Sequence, residues 1–262
     1  MTLTSLPYNW GTDERRDMSA EQHLRILDVT RSTNDEALSR ARGGAPHGTA
    51  VAARRQTAGR GRRGHAWESP DGNLYLSVVL RPQVTPTRLP GLAAACGLGV
   101  LDALDAFGIS NETQLKWPND LLARGLKLAG ILVETARDDA GQTFAVCGVG
   151  LNVGRAPRGL GAICLAALGD APSFSPLAER LRSGVVSRVN AWAAASGERP
   201  LDGIRSDYLA RLAWLGEKVR VLAAEDGSEL ACGTLETVDP WGRAVVAGVP
   251  YASELVSLRP TG

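Results

Sequence analysis

The hydrophobic pattern in the first part of the chain alternates short apolar runs with polar segments rich in glycine and proline. Three runs have the composition and the polar boundaries of strands: residues 24–29, 48–56 and 73–82. Between the first two runs, Thr33 and Glu36 have the spacing of a capping box, and Gly43 and Gly44 follow them. Because capping residues favour the start of a helix and glycine favours its end, this segment predicts a helix.

The later part of the chain predicts further helices and strands. Apolar residues at helical spacing predict three helices: residues 87–107, 175–195 and 200–213. Strands are predicted on both sides of a proline-containing turn at residues 118–120, and the second of them starts at Lys127. Another strand is predicted within residues 142–153. These elements together indicate an α+β fold built on a mixed β-sheet.

The pattern changes after Trp214. From residue 215 onward, short alternating strands are separated by turn residues, which is typical of a small antiparallel barrel. The first 24 residues are polar, lack periodicity and are too few for a helix-turn-helix domain. We therefore predict an N-terminal tail over residues 1–24, a main domain over 25–214 and a small β domain over 215–262.

The composition places the chain among ordinary globular proteins. Hydrophobic residues make up 44% of the sequence and charged residues 22%, which is enough for a normal core. No stretch reaches the roughly 18 uncharged apolar residues that a membrane span requires. The N-terminal sequence has neither a basic start nor an apolar core of signal-peptide length. These features predict a cytoplasmic protein without a membrane partner.

Net charge and cysteine usage argue against two further classes of function. A formal net charge of +1 gives the whole protein no electrostatic attraction for nucleic acid, so no nucleic-acid partner is predicted. The four cysteines are far apart in sequence, and none pairs with one of the three histidines at metal-ligand spacing. Buried free thiols are therefore favoured over a disulfide or a structural zinc site.

One glycine-rich segment matches the spacing of a dinucleotide-binding turn. Gly59, Gly61 and Gly64 form a G-x-G-x-x-G pattern between two predicted strands. A dinucleotide site needs a helix that begins at the third glycine. Here Pro70 and the turn at residues 71–72 lead into a strand instead. The segment is therefore not a dinucleotide-binding turn.

The same segment, which we call the arginine loop (residues 59–64), carries Arg60, Arg62 and Arg63. Arginine forms bidentate, charge-assisted hydrogen bonds to phosphate, and a glycine-rich loop can close over a ligand. A solvated surface turn would have the same composition. The loop by itself leaves both interpretations open.

Six motifs, taken together and in order, resemble the biotin protein ligases. They are STN (32–34), QTAGRGRRGHAW (56–67), NLYLSV (73–78), KWPNDLL (116–122), KLAGILVE (127–134) and GVGLNV (148–153). The resemblance covers roughly residues 26–258. It implies a biotin/lipoate ligase-like catalytic domain over 25–214, with helices on one face of the mixed sheet, and a C-terminal SH3-like barrel over 215–262.

The resemblance also implies an activity. Biotin protein ligases join biotin and ATP, used with Mg²⁺, into biotinyl-5'-AMP and then transfer biotin to a lysine of a biotin carboxyl carrier domain. Lys127 would lie against the biotin carboxylate and the α-phosphate, although a lysine at the start of a strand is otherwise an ordinary surface residue. Arg60 and Arg62 would belong to a loop that orders over biotin and the adenylate, and Arg62 would retain the reactive intermediate. These three residues are the predicted catalytic group.

The same resemblance implies a wider set of binding residues. Besides the catalytic group, they are Ser32, Thr33, Asn34, Gln56, Gly59, Gly61, Trp67, Lys116, Asn119, Asp120, Gly130, Ile131, Gly148, Gly150 and Asn152. Ordinary helix capping explains at least one residue of the STN triplet equally well. Asn119 and Asp120 either contact the nucleotide and its magnesium or hold their turn through Asx-type hydrogen bonds. Trp67 either stacks near the loop or serves as a hydrophobic anchor. No residue is assigned as a direct metal ligand.

Two rival functions remain. A lipoate ligase uses the same adenylation chemistry, but GRGRRG combined with KWPND favours biotin. A non-catalytic biotin-responsive regulator would not need Lys127 and the complete arginine loop, and only about 25 residues precede the motifs, too few for a DNA-binding domain. Arg31, Cys164 and Ser253 depart from the family pattern outside the assigned chemistry. Monomer and homodimer are both compatible with the sequence.

Overall fold

The computed structural model describes residues 23–109, 113–157, 159 and 161–261, and its larger part is built on a seven-stranded sheet. The strands are β1 (Leu24–Thr30), β2 (Ala50–Gln56), β3 (Leu74–Leu80), β4 (Thr113–Lys116), β5 (Asp120–Ala123), β6 (Leu126–Arg137) and β7 (Thr143–Leu151). Their order across the sheet is β1-β2-β3-β7-β6-β5-β4. β1 and β2 run parallel, and the other neighbours are antiparallel. The predicted mixed sheet is confirmed.

Four α-helices accompany this sheet in the described ranges: α1 (Thr33–Arg42), α2 (Leu92–Asp105), α3 (Phe174–Ala194) and α4 (Arg205–Ala210). α2 is shorter than predicted, because the segment Pro86–Gly91 forms a 3₁₀-helix that contains Pro90, which has no N–H to donate. α4 is also shorter than predicted, since Gly203 has a φ of 82°, which no α-helix adopts. None of these helices is both long and apolar enough to cross a membrane.

The helices lie on both faces of the sheet, so the expectation of helices on one face is wrong for α1. All seven residues of β3 are buried, and alternate residues of a strand point to opposite faces, so both faces need a cover. α2 and α3 cover one face through the main hydrophobic cluster. On the other face, Ala37 and Ala41 of α1 pack with Val79, Phe144 and Val146. The rest of that second face carries the candidate site.

The C-terminal part of the chain forms a second sheet of five short strands. They are β8 (Lys218–Ala223), β9 (Glu229–Val238), β10 (Ala244–Val246), β11 (Val249–Tyr251) and β12 (Val256–Pro260). Their order is β11-β10-β9-β8-β12, and all neighbours are antiparallel. The predicted tail lies outside the described residues except for His23 and Leu24, and Leu24 already begins β1. The domain boundary near residue 215 stays a prediction.

The cysteines are free thiols, as expected, but not all of them are buried. Cys96 and Cys147 lie in the core between α2 and β7, whereas Cys164 is half-buried and Cys232 is exposed. Cys232 lies on β9 of the C-terminal sheet.

His47, in the loop between α1 and β2, is expected to make the folding stability depend on pH. Its Nδ1 accepts a hydrogen bond from the backbone N–H of Arg81 at 3.0 Å. Burial lowers the pKa of His47 below its usual value, and the neighbouring Asn190 side chain offsets this only in part. As the pH falls below about 6.5, the unfolded chain therefore takes up this proton before the folded chain does. The folding stability is therefore expected to decrease as the pH is lowered, until the pH passes the folded-state pKa of His47.

The variant His47→Asn tests this expectation, because asparagine keeps an acceptor for Arg81 and cannot titrate. The titration of one group changes the unfolding free energy by at most about 1.4 kcal/mol per pH unit, and the partial solvent exposure of His47 makes this change smaller. Urea unfolding between about pH 5.5 and 7.5 should show a shallower pH dependence of the unfolding free energy in the variant. Equal slopes in the two proteins would contradict a role for His47.

Candidate active site

Glycines on neighbouring strands create a trough in the sheet face that α1 leaves open. Gly130 of β6 pairs with Gly150 of β7, and in the next row Gly148 of β7 pairs with Ser77 of β3. Side chains of paired residues stand on the same face, so these three glycines remove side-chain bulk from one region of it. Two side chains from outside the sheet occupy part of that space. A Cβ on Gly130 would lie 2.7 Å from the Trp67 ring, and a Cβ on Gly150 would lie 2.5 Å from Trp67 Nε1.

The space above the trough glycines is therefore filled by protein side chains. A ligand in the trough would contact these side chains and not the glycine backbone. A Cβ on Gly148 would overlap Asn34 Oδ1. Trp67 is half-buried, and its buried Nε1–H has no hydrogen-bond partner among the described residues. Both interpretations of Trp67 fit this position, since the ring packs against the sheet and also lines the cavity.

The STN triplet lies at the start of α1, but its side chains do not cap the helix. Ser32 is the N-cap residue by position, and it makes no side-chain cap hydrogen bond. The predicted capping box is wrong, because the Thr33 hydroxyl donates to Gln56 Oε1 at 3.1 Å, and Glu36 accepts from the Thr30 hydroxyl at 3.3 Å. The Thr33 backbone N–H also donates to Gln56 Oε1, at 2.8 Å. The triplet thus faces the trough instead of its own helix end.

A chain of polar contacts continues from this triplet along the trough. Gln56 Nε2 donates to Ser69 Oγ at 3.0 Å. On the other side, the Ser77 hydroxyl lies 2.5 Å from Asn34 Oδ1 and 2.8 Å from Thr33 Oγ1. Asn34 and Ser77 are buried at 4% and 0% exposure, so water does not compete for these contacts. The result is a fixed, uncharged wall of hydrogen-bonding groups.

Two lysines share one carboxylate further along the cavity. Lys127 Nζ lies 2.7 Å from Asp120 Oδ1, and Lys116 Nζ lies 3.4 Å from Asp120 Oδ2. Burial lowers the pKa of Lys116, an effect that Asp120 partly offsets. Lys127 Nζ also lies 5.1 Å from the centroid of the Trp67 ring. One carboxylate for two ammonium groups leaves this end of the cavity positive.

The arginine loop is docked by its side chains, although Arg60, Arg63 and Gly64 are exposed. Arg62 donates to Asn119 Oδ1 at 3.1 Å and to Ser253 Oγ at 3.2 Å, so it connects the turn after β4 with the C-terminal part of the chain. Arg63 donates to the Ser253 carbonyl. Asn119 is itself held by Nδ2 donation to the Ile131 carbonyl at 2.8 Å. Burial lowers the pKa of Arg62, and the nearby Arg63 adds to this effect.

Arg60 contacts a different part of the protein from Arg62. It forms ion pairs with Asp35 of α1 and, at 3.0 Å, with Glu134 Oε2 of β6. The hydrogen bond to Asp35 raises the pKa of Arg60, and Glu134 contributes in the same direction. The two arginines thus fasten the loop at two separate places.

Two of the predicted binding residues do not reach the cavity wall. Asn152 is buried at 3% exposure beneath Lys127, where its Nδ2 donates to the carbonyls of Lys127 at 3.3 Å and Ile163 at 3.1 Å. Gly59 begins the arginine loop, and a Cβ there would be 2.6 Å from the Trp67 carbonyl. Their residue types are required for packing and for holding the strand of Lys127.

The other predicted residues all line one cavity of 810 Å³. This volume lies within the range of small-molecule sites, roughly 300–1,000 Å³. Sequence reasoning missed the contribution of the C-terminal sheet, which adds Val256, Ser257 and Arg259 to the wall. It also missed Ser77 and Glu134, which contact the predicted residue Asn34, although both lie inside quoted motifs and Glu134 directly follows the uncharged run of residues 128–133. Among residues 23–261, apart from the few not described, no group of three or more His, Cys, Asp or Glu side chains could hold a metal ion.

Comparison with known proteins decides the family. The pattern of the Biotin/lipoate A/B protein ligase family matches residues 26–152. Over 254 residues the chain is 39% identical to the biotin–[acetyl-CoA-carboxylase] ligase of Mycobacterium tuberculosis, with 92% of this chain and 91% of that protein covered. The chain belongs to the biotin protein ligase family.

Two further members show how far the similarity within the family extends. The bifunctional ligase/repressor BirA of Bacillus subtilis is 39% identical over 139 residues, which cover 52% of this chain and 42% of that protein. The structure of the biotin protein ligase from Aquifex aeolicus in complex with biotin and ATP matches with a TM-score of 0.75 at 26% identity, covering 92% of this chain and all of that one. The predicted family and the fold of its catalytic domain are confirmed.

Proposed function

We propose that this protein is an ATP-dependent biotin protein ligase, which forms biotinyl-5'-AMP and then transfers biotin to a lysine of a biotin carboxyl carrier domain. The observation that carries the proposal is the polarity of the cavity. One part is an uncharged hydrogen-bonding wall that includes Thr33 and Asn34, and another part holds Arg62 together with Lys116 and Lys127, which both pair with Asp120. Biotin has the matching form, with an uncharged ureido ring at one end and a carboxylate at the other.

The first reaction joins two anionic groups. A biotin carboxylate oxygen attacks the α-phosphorus of ATP, a new O–P bond forms, and the bond from the α-phosphorus to the bridging oxygen breaks as pyrophosphate leaves. Cations that are already in place offset the repulsion and stabilise the charge of the transition state. Lys127 has this role, with Lys116 and Arg62 beside it. Asp120 holds the Lys127 ammonium at 2.7 Å, which fixes its position before the substrates arrive.

The second reaction is an acyl transfer. The neutral amine of the acceptor lysine attacks the carbonyl carbon of biotinyl-5'-AMP, the C–N bond forms, AMP leaves with the electron pair of the broken C–O bond, and the amine loses a proton. Until then the mixed anhydride must be kept from other amines. The arginine loop provides this retention, and the supporting contacts are those of Arg62 with Asn119 and Ser253.

Magnesium enters this scheme with the nucleotide. Asp120 already pairs with both lysines, and the described residues do not fit a metal ion held by the protein alone. Magnesium usually binds through substrate phosphates and only one or two carboxylates. Mg²⁺ bound to ATP is therefore the proposed form.

The remaining partners are also proposals. The named activity of the Mycobacterium tuberculosis relative points to the carrier domain of an acetyl-CoA carboxylase as the acceptor. We infer an SH3-like barrel for the C-terminal sheet from its five short antiparallel strands. Use as a monomer or a homodimer, a cytoplasmic location and the lack of a nucleic-acid partner stay predictions.

Exchange of labelled pyrophosphate into ATP tests the proposed function. The purified protein is expected to catalyse exchange that biotin stimulates, while lipoate and the assay without any acid give only background. A carrier domain added with ATP and biotin should gain the mass of one biotinyl group. Exchange stimulated by lipoate alone would establish the rival lipoate ligase, and biotin binding without exchange would leave the non-catalytic regulator.

A further inference from the structure

One charged residue on the cavity side of β6 has no part in the adenylation chemistry. Glu134 follows Gly130 and Leu132 at alternate positions of the strand, so all three side-chain positions face the trough. The row of Glu134 also contains Val146 and Val79, against which α1 packs. A carboxylate in this apolar row is costly unless it is paired, and its partners therefore matter.

The partners of Glu134 are two of the residues proposed to bind biotin. Its Oε2 accepts from Asn34 Nδ2 at 2.6 Å and from Arg60 at 3.0 Å. Arg60 also donates to Oε1 at 3.3 Å. Glu134 thus connects the uncharged wall of the cavity with the arginine loop.

The contact with Asn34 fixes which way its amide points. The amide nitrogen donates to Glu134, so Oδ1 is left to face Ser77, 2.5 Å away. A reversed amide would place its NH₂ group against the Ser77 hydroxyl and its oxygen against the Glu134 carboxylate. The latter contact is repulsive and has no proton to share. The charge of Glu134 therefore selects one orientation of the binding wall.

The contact with Arg60 holds the arginine loop at the end opposite Arg62. Arg60 lies between Glu134 on the sheet and Asp35 on α1, and it pairs with both carboxylates. These pairs are partly exposed, with side-chain exposures from 32% to 40%. They are therefore weak enough to open and close.

We propose that Glu134 is a positioning residue for biotin binding: it fixes the Asn34 amide and anchors Arg60 in one network, and so sets how long biotin and biotinyl-5'-AMP stay bound. This inference rests on the proposed function. Glu134 contacts Asn34 and Arg60, whereas Lys116 and Lys127 both pair with Asp120. It therefore affects retention and leaves the chemical step alone.

The variant Glu134→Gln keeps the shape and removes the charge. One carboxylate oxygen becomes an NH₂ group that opposes a donor of Arg60 or of Asn34. We expect the dissociation constant for biotin, measured by calorimetry with biotin alone, to rise about tenfold. The release rate of biotinyl-5'-AMP should rise by a similar factor, while exchange at saturating biotin stays within about twofold of the original protein. Glu134→Asp, which retains the charge, should recover part of the affinity.

A matched control comes from the end of the same strand. Asp138 follows β6 directly and pairs with Arg81 at 2.7 Å, away from the cavity. Asp138→Asn should lower the Tm and leave the biotin dissociation constant within about twofold. An equal rise in that constant in Asp138→Asn would mean that Glu134 acts only through general stability, and this would overturn the inference.

Two other results would also overturn it. One is an unchanged biotin dissociation constant in Glu134→Gln. The other is a loss of exchange at saturating biotin as large as the loss of affinity, which would place Glu134 in the chemical step. If the original protein neither binds biotin nor exchanges pyrophosphate, the proposed function itself fails, so the two failures can be told apart.

Discussion

Lys127→Ala is expected to lower biotin-dependent pyrophosphate exchange by about 1,000-fold, which corresponds to about 4 kcal/mol of transition-state stabilisation. The variant loses the cation that lies 2.7 Å from Asp120 and lines the cavity beside Trp67. Lys116 and Arg62 remain, but neither can take its place, because Lys116 is held by Asp120 and Arg62 is bound to Asn119 and Ser253. Binding of biotin alone should change much less than the rate.

The chain offers a matched control for this variant. Its three lysines are Lys116, Lys127 and Lys218. Lys218 begins β8, is exposed and does not line the cavity, so Lys218→Ala should exchange pyrophosphate at the original rate. Circular dichroism on both variants checks that the fold is retained. Exchange within tenfold of the original rate in Lys127→Ala would remove this lysine from the chemistry.

Arg62→Gly is expected to release biotinyl-5'-AMP into solution. The variant loses the hydrogen bonds to Asn119 and Ser253 that fasten the arginine loop. A hydrogen bond to a charged group contributes about 1.5–3 kcal/mol, so release should become between about tenfold and 100-fold faster. Adenylation itself should be less affected, because Lys127 and Asp120 keep their arrangement. The free anhydride then acylates exposed amines without selection.

Biotinylation of an unrelated lysine-rich protein in the same tube measures this release. The ligase should also label itself at Lys218, since Lys116 and Lys127 are both paired with Asp120 while Lys218 is exposed. Mass spectrometry of the digested ligase locates the site. Arg42→Gly is the control, because Arg42 lies at the end of α1 on the surface and outside the cavity. Strict selectivity for the carrier domain in Arg62→Gly would show that retention depends on other residues.

The sequence located most of the candidate site, because its motifs stand next to strongly patterned strands. β3, β6 and β7 are runs whose alternation or continuous apolarity is visible without coordinates, and the glycines of the trough lie within them. Lys127 and the residues of the arginine loop could be placed at strand ends for the same reason. The local sequence pattern is sufficient to predict the position of a residue when that position depends only on the strand to which the residue belongs.

The sequence-based predictions failed for side chains that can hydrogen-bond either to a residue nearby in sequence or to a residue far along the chain. Thr33 has the spacing of a capping box with Glu36, but its hydroxyl turns to Gln56, which is 23 residues away. Asn152 belongs to a binding motif, but its amide supports Lys127 and Ile163 from behind. A helix cap and a contact across the sheet are similar in energy, so packing decides between them.

The sequence by itself indicated the family, most of the strands, and the positions of Lys127 and the arginines of the loop, because these are properties of short segments. Only the tertiary structure decided that α1 lies on the face opposite α2 and α3, that Ser257 and Arg259 of the C-terminal region line the cavity, and that Glu134 contacts Asn34 and Arg60. The contacts of Glu134 span 100 and 74 residues of sequence. Such contacts form where strands and helices pack together, and no local pattern of residues encodes them.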